Sequence, residues 1–170
     1  MTNKSGFSLI ELIVVIAIIG ILLAIAGISG KAMLDKYRVE SQTKEMFVDL
    51  MNAKLNAMQK NRVYFVTLTA EQYAIFEDTD PAPDGNGTLE AGDTQTIRKD
   101  LNPLYALTVP GVVAQVNFDA RGLASGEPGP MGTQQTIRVA ASFDSAYDCI
   151  IISRTRIKMG AYNGSSCVIQ

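Results

Sequence analysis

The sequence predicts an α+β fold: one long N-terminal helix followed by an antiparallel, β-rich domain. Three observations lead there. No residue in 12–30 is charged, and a helix over that run would measure ~28 Å, close to one hydrocarbon thickness. Residues 31–62 contain neither Pro nor Gly and keep a helical period. From Val63 onward, short β-branched and aromatic runs alternate with Gly- and Pro-bearing breaks, the pattern of strands joined by turns.

Taken in order, 7–62 reads as a single helix of ~84 Å at 1.5 Å per residue. On its wheel Met33, Tyr37, Phe47, Met51, Leu55 and Met58 fall in one stripe, the face expected to pack on the domain. Glu40 and Lys44 interrupt that stripe, so the helix is expected to pack after Lys44 and to form an exposed neck before it. Residues 63–69 and 72–76 read as a hairpin. Residues 104–109 and 112–118 flank Pro110-Gly111, a strong turn signal. Val112, Ala114, Val116 and Phe118 alternate with polar neighbours, as a half-buried strand should. Residues 121–132 read as loop; 136–141, 147–152 and 155–159 read as further strands.

Composition excludes several chemistries. The chain has 170 residues, a formal net charge of -2, 47% hydrophobic residues and no His. Acid/base catalysis by His, Cys/His nucleophile pairs and His-bearing zinc sites are therefore absent. No spacing of Asp, Glu or Ser singles out a catalytic set, so the chain reads as non-enzymatic. The only two cysteines, Cys149 and Cys167, follow an export-type N-terminus and suggest one disulfide in an oxidising compartment. Two free buried thiols are the alternative.

The charge that does need explaining is Glu11. It stands at the front of the apolar run, where the nearest bases are Lys4 and Lys31. An ionised carboxylate in hydrocarbon costs at least ~2.5–3.5 kcal/mol, so a partner from another chain, or one created by processing, is expected. Lys4 before the run keeps the N-terminus cytoplasmic by the positive-inside rule. An ordinary signal peptide cleaved after Ala24-Ile25-Ala26 would instead release a soluble β-domain, but the helical pattern continues past that point.

The stretch Lys4-Ser5-Gly6-Phe7-Ser8-Leu9-Ile10-Glu11-Leu12 and the apolar residues after it resemble the class III signal of type IV pilins and type II secretion pseudopilins. The resemblance implies cleavage between Gly6 and Phe7 by a prepilin peptidase and N-methylation of Phe7. It also implies that Glu11 faces the Phe7 amine of a neighbouring subunit, a cation that attracts it strongly at low dielectric. Family members commonly carry a proline at position 28, where this chain reads Gly27-Ile28-Ser29-Gly30. Those two glycines could supply local bending.

Residues 49–62 running into Val63 are similar to the helix end of the GspH/FimT-type minor pilins and pseudopilins, as are, more loosely, 76–80 with 84–87, and 151–156. That resemblance implies a pilin-like fold with a two-sheet β-domain. It divides the chain into a leader (1–6), a transmembrane and assembly half-helix (7–30), an amphipathic half-helix (31–62) and a periplasmic or extracellular β-domain (63–170). The function it implies is a structural minor pilin or pseudopilin subunit, held in the bacterial inner membrane by a single pass. The subunit then assembles with other such subunits into a type II secretion pseudopilus or type IV pilus. No cofactor is implied.

Two further segments offer candidate sites. Residues 77–93 hold six acids and no base, and Asp78, Asp80, Asp84, Asn86 and Glu90 offer oxygen ligands of the kind Ca²⁺ takes. The EF-hand spacing fails at Pro81-Ala82-Pro83, and the segment reads as a solvated loop. Arg154, Arg156 and Lys158 would share one face of a strand over 155–159, ~6.6 Å apart. Certain members of the resembled family serve natural transformation and bind DNA near this end, which makes a DNA-binding minor pilin an alternative. A solvent-facing row on an amphipathic strand is the simpler reading.

Overall fold

The computed structural model describes residues 8–108, 115–127, 135–139 and 145–170, without the side chains of 25–29 and Glu127. Helix α1 spans Leu9–Lys60, ~78 Å at 1.5 Å per residue. It runs unbroken through Gly27 and Gly30, so cleavage after Ala26 would divide one continuous helix. Ser8 precedes the first turn, and its carbonyl accepts from the Leu12 amide at 3.2 Å. Asn61 ends the helix in the left-handed conformation (φ 54°), and the Arg62 amide turns back to the Ala57 carbonyl. Asparagine is among the few side chains that tolerate this backbone.

Ten strands follow among the described residues, in two five-stranded antiparallel sheets. The first contains β1 (Tyr64–Leu68), β2 (Gln72–Glu77), β3 (Thr94–Asp100), β5 (Gln115–Phe118) and β6 (Ala124–Glu127), in the order β3-β2-β1-β5-β6. The second contains β4 (Leu107–Thr108), β7 (Gln135–Val139), β8 (Cys149–Ile152), β9 (Ile157–Tyr162) and β10 (Cys167–Ile169), in the order β10-β9-β8-β7-β4. The expected hairpin is present, with Tyr64 opposite Glu77 and Leu68 opposite Tyr73.

Several expectations need correction. The strands before and after Pro110-Gly111 lie in different sheets, so the chain crosses between sheets there instead of turning into a hairpin; residues 109–114 themselves lie outside the described residues. Among the described residues of 104–109 only Leu107–Thr108 is strand, because Pro103 starts a 3-10 turn over Pro103–Tyr105. Part of the expected loop 121–132 is β6, which borrows its regularity from pairing with β5. The strands β3 and β10 were not expected: β3 is polar and almost wholly exposed, so it lacks the period-two apolar signal. The strand expected at 155 starts at Ile157, because Ser153–Arg156 closes the β8–β9 turn.

The helix face is the largest correction. Val39, Thr43, Met46, Leu50, Ala53 and Ala57 are buried, about a third of a turn away from the expected stripe at 100° per residue. Of that stripe, Met33, Tyr37, Leu55 and Met58 are exposed, while Phe47 and Met51 pack only at the core's margin. Small Thr43, Ala53 and Ala57 leave room on this face for the sheets to pack beside the larger Val39, Met46 and Leu50. Against them lie Tyr64, Val66, Val116 and Phe118 from one sheet and Ile137, Ile150, Ile152 and Ile157 from the other. Contact with the domain also starts earlier than Lys44. The Tyr105 hydroxyl donates to Asp35 at 2.6 Å, Gln42 donates to the Tyr105 carbonyl, and Glu40 accepts from the Ala146 amide.

Candidate functional site

The first turns of α1 carry side chains that stand exposed among the described residues. Twelve large apolar residues between Leu9 and Leu23 are exposed all round, from 46% at Val15 to 76% at Leu9. Each would gain roughly 1.5–3 kcal/mol on leaving water, so this surface requires lipid or other helices as its surroundings. Glu11 sits in the first turn, its amide donating to the Ser8 carbonyl at 3.1 Å, and its carboxylate has no hydrogen bond or ion pair among the described residues. Gly6 and Phe7, the expected processing and pairing residues, lie outside the described residues. No helix among the described residues is long and apolar enough to cross a membrane; the described side chains of the apolar run stop at Ala24.

At its other end α1 is clamped to the domain by a carboxylate. Glu77, 7% exposed, accepts from Lys60 Nζ at 2.6 Å, Tyr64 OH at 2.8 Å and Arg62 Nη1 at 3.3 Å. Burial alone would raise its pKa, but the hydrogen bonds from Lys60 and Tyr64 and the two nearby cations hold it below its ordinary value. Tyr64, buried beside that carboxylate, is shifted upward by desolvation and by the bond to Glu77. Neither Glu77 nor Tyr64 stood out in the sequence. The only available signal was an acid placed directly after the β-rich run of a hairpin whose first strand follows Lys60 and Arg62.

The segment between β2 and β3 is ordered by its own acids. Asp78 accepts from the amides of Asn86 (3.1 Å) and Gly87 (2.7 Å); Asp93 accepts from those of Thr79, Asp80 and Glu90. Burial tends to raise Asp93, yet three amide bonds hold it below its ordinary value. Gly85, at φ 77°, lies so close to Asp78 that any Cβ there would overlap its carboxylate. Asn86 is occupied with Thr88 and Glu90. Among the described residues no group of three or more acids, Cys or His is placed to hold a metal.

Arg154, Arg156 and Lys158 do not form one row. Arg154 and Arg156 lie in the β8–β9 turn, where Ser153 bonds Arg156, and only Lys158 is on strand β9. Arg156 and Lys158 share a cavity of about 300 Å³ with Ile151, Ser153, Thr155 and Ile169, whereas Arg154 is not in its lining. Lys54 of α1 donates to the Thr155 carbonyl, and the β5–β6 turn brings Arg121, paired with Asp119 at 3.0 Å, to the same end of the domain. Lys54 and Arg121 are additional cations that strand periodicity could not have joined to this corner.

Cys149 and Cys167 are bonded to each other, with Cα atoms 6.0 Å apart. Nearby, buried Asp148 accepts from the Tyr162 amide at 2.7 Å, and burial raises its pKa. The Arg138 guanidinium lies 4.0 Å from the centre of the Tyr162 ring.

Comparison with known proteins adds the deciding observation. Residues 1–27 match the model of the prokaryotic N-terminal methylation motif. The long helix and the two antiparallel sheets behind it are a pilin-like fold, shared with solved minor pilins and pseudopilins. The pilin fold of this chain is similar to that of the type IV minor pilin FimU of Pseudomonas aeruginosa, with a TM-score of 0.55 at 16% identity over 79% of this chain and 98% of that one. A second crystal form of FimU gives 0.52 at 17% identity over 76% and 99%. The minor pseudopilin EpsH of the Vibrio cholerae type 2 secretion system gives 0.51 at 9% identity over 73% and 97%. No curated protein sequence matches the chain.

Proposed function

We propose that this pilin-type chain is a minor pilin or pseudopilin subunit, stored in the inner membrane through 7–30 with its β-domain outside the cytoplasm. The role is structural, not catalytic. A prepilin peptidase cleaves between Gly6 and Phe7, and the new Phe7 amine is methylated. Glu11 then pairs with the Phe7 amine of an adjacent subunit and sets the axial register, while the apolar surface exchanges lipid for neighbouring helices. The observation that carries the reading is a carboxylate without a partner among the described residues, in a helix surface rich in exposed apolar side chains, within the methylation motif.

Glu11→Ala tests it. Membrane insertion should be unchanged, because removing a charge from an apolar segment makes insertion easier. Incorporation into filaments should fall. Normal abundance of the variant in isolated filaments would overturn the pairing. Sequencing of the mature N-terminus gives the processing step directly: methyl-Phe7 supports it, and Gly27 would mean ordinary signal-peptide cleavage.

A further inference from the structure

The polar bonds between α1 and its domain descend the helix in order. Lys60 pairs with Glu77, Asp49 accepts from Tyr73, Glu45 pairs with Lys99, and Asp35 accepts from Tyr105. Among the described residues the last of these is the attachment nearest the apolar run, ~7.5 Å along the axis from Gly30. The polar headgroup layer on each side of a hydrocarbon core is roughly 5–7 Å deep. A span ending at Gly30 therefore brings this attachment to the level of the lipid headgroups. What the domain presents there is the Pro103–Tyr105 turn. Its Leu104 is 73% exposed, the most exposed large apolar side chain of the β-domain among the described residues. The turn is held in place, because Asn102 accepts from the Leu104 amide and Gln42 of α1 donates to the Tyr105 carbonyl, both at 2.9 Å.

The helix below that turn has two unlike sides. At 100° per residue, Lys31, Arg38 and Lys36 lie about 40°, 60° and 100° round the axis from Asp35, on the half that the domain overhangs. Met33 and Tyr37, both exposed, lie about 160° from Asp35, on the far side. Lys31 and Lys36 are exposed and make no ion pair among the described residues. Arg38, also exposed, shares Asp35 with Tyr105 at 3.7 Å. The acids of this stretch are engaged: Asp35 by Tyr105 and Arg38, Glu40 by Lys44 and the Ala146 amide. An exposed leucine and two unpaired lysines thus share one side of the chain at one height, the chemistry of a surface for anionic lipid.

We propose that in the stored subunit the β-domain rests on the outer face of the membrane, with Leu104 among the lipid headgroups and Lys31 and Lys36 on the phosphates of anionic lipids. This rests on the reading that 7–30 spans the inner membrane. Membrane helices tilt by about 20° on average, and their interfacial anchors set the direction. Here the anchors lie on the domain side, so the helix leans that way and lowers Leu104. The lysine stems lie along the apolar boundary while their ammonium groups reach the phosphates. The contact holds the domain down before assembly, and a subunit entering a filament has to lift this edge from the lipid.

The test uses the full-length chain carrying Leu104→Cys, labelled with a small apolar fluorophore and reconstituted in phosphatidylglycerol-rich vesicles. Cys149 and Cys167 are bonded to each other and take no label. The same label on Ala91→Cys, exposed in the segment joining β2 to β3 at the Lys60 end, is the control. The expected result is quenching of the Leu104→Cys label, and not of the control, by lipids that carry a nitroxide on the headgroup. Lys31→Gln and Lys36→Gln should each lower the ratio of docked to undocked domains about fivefold. High salt, or phosphatidylcholine in place of phosphatidylglycerol, should lower it likewise. Equal quenching at the two labelled positions overturns the proposal, as does quenching that neither the lysine variants nor the lipid charge alters. If the chain does not float with the vesicles at all, the membrane-storage reading fails first, and this contact with it.

Discussion

The Cα atoms of Cys149 and Cys167 lie 6.0 Å apart although β9 runs between their strands. Two strand spacings in a flat sheet would hold β8 and β10 ~10 Å apart, so β10 must fold over the outer face of β9. Gly160 permits this. It is buried on a face whose neighbour in the pleat, Lys158, is exposed, and a Cβ there would overlap the Val168 carbonyl oxygen.

Gly160→Ala should therefore destabilise the domain by about 1–3 kcal/mol, the usual cost of overpacking. Denaturant unfolding of the full chain measures it. Titration of free thiols should show incomplete disulfide formation in the same variant.

Replacing both cysteines by serine removes a crosslink spanning 18 positions, expected to cost roughly 2–4 kcal/mol. Hydrogen exchange should rise first in β10, an edge strand whose Val168 and Ile169 are half exposed. Uniform loss of protection across both sheets would contradict that local role.

Glu77 predicts an acid limb. Its folded pKa lies below its ordinary value, so the stability it contributes is fully present above that ordinary value, near 4.5. That contribution is lost as pH falls through the lowered folded value. Asp93 and Asp119, also lowered, act in the same direction, whereas Asp148, raised by burial, opposes them. Glu77→Gln should flatten this limb in urea unfolding followed between neutral and acid pH. It should also cost about 1–3 kcal/mol at neutral pH, because the Tyr64 hydroxyl loses its charged acceptor in a buried site.

Millimolar Ca²⁺ should leave the unfolding midpoint of the chain unchanged. A ligand bound only by the folded state raises stability, but Asp78 and Asp93 already accept backbone amides. A rise that EDTA reverses would show that the segment rearranges to take the ion.

The broken basic row makes a prediction about DNA. Phosphate contacts along one strand require cations in a regular line, and Arg154 stands outside the Arg156–Lys158 cavity. The full chain in detergent should retard short duplex DNA no better than its Arg154→Ala/Arg156→Ala/Lys158→Ala variant at low salt. A clear, salt-sensitive difference between them would show that this corner binds DNA despite the broken row.

The sequence by itself determined the features whose signal is local. Charge-free residues 12–30, a Pro- and Gly-free 31–62 and the strand run after Val63 defined one helix and a β-domain, because helix length and apolarity are counted along the chain. The motif around Glu11 was legible for the same reason, and so were the two cysteines. The tertiary structure decided everything that depends on what comes to lie opposite. The buried face of α1 is the one with Val39, Met46, Leu50, Ala53 and Ala57, because the side chains of the two sheets come to lie against that face and not against the Met33–Met58 stripe. Edge strands β3 and β10 carry little periodic signal and form because β2 and β9 offer them unpaired backbone groups. Glu77 found its cations, and Lys54 joined Thr155, across separations of 15 to 101 residues. No spacing rule reaches that far.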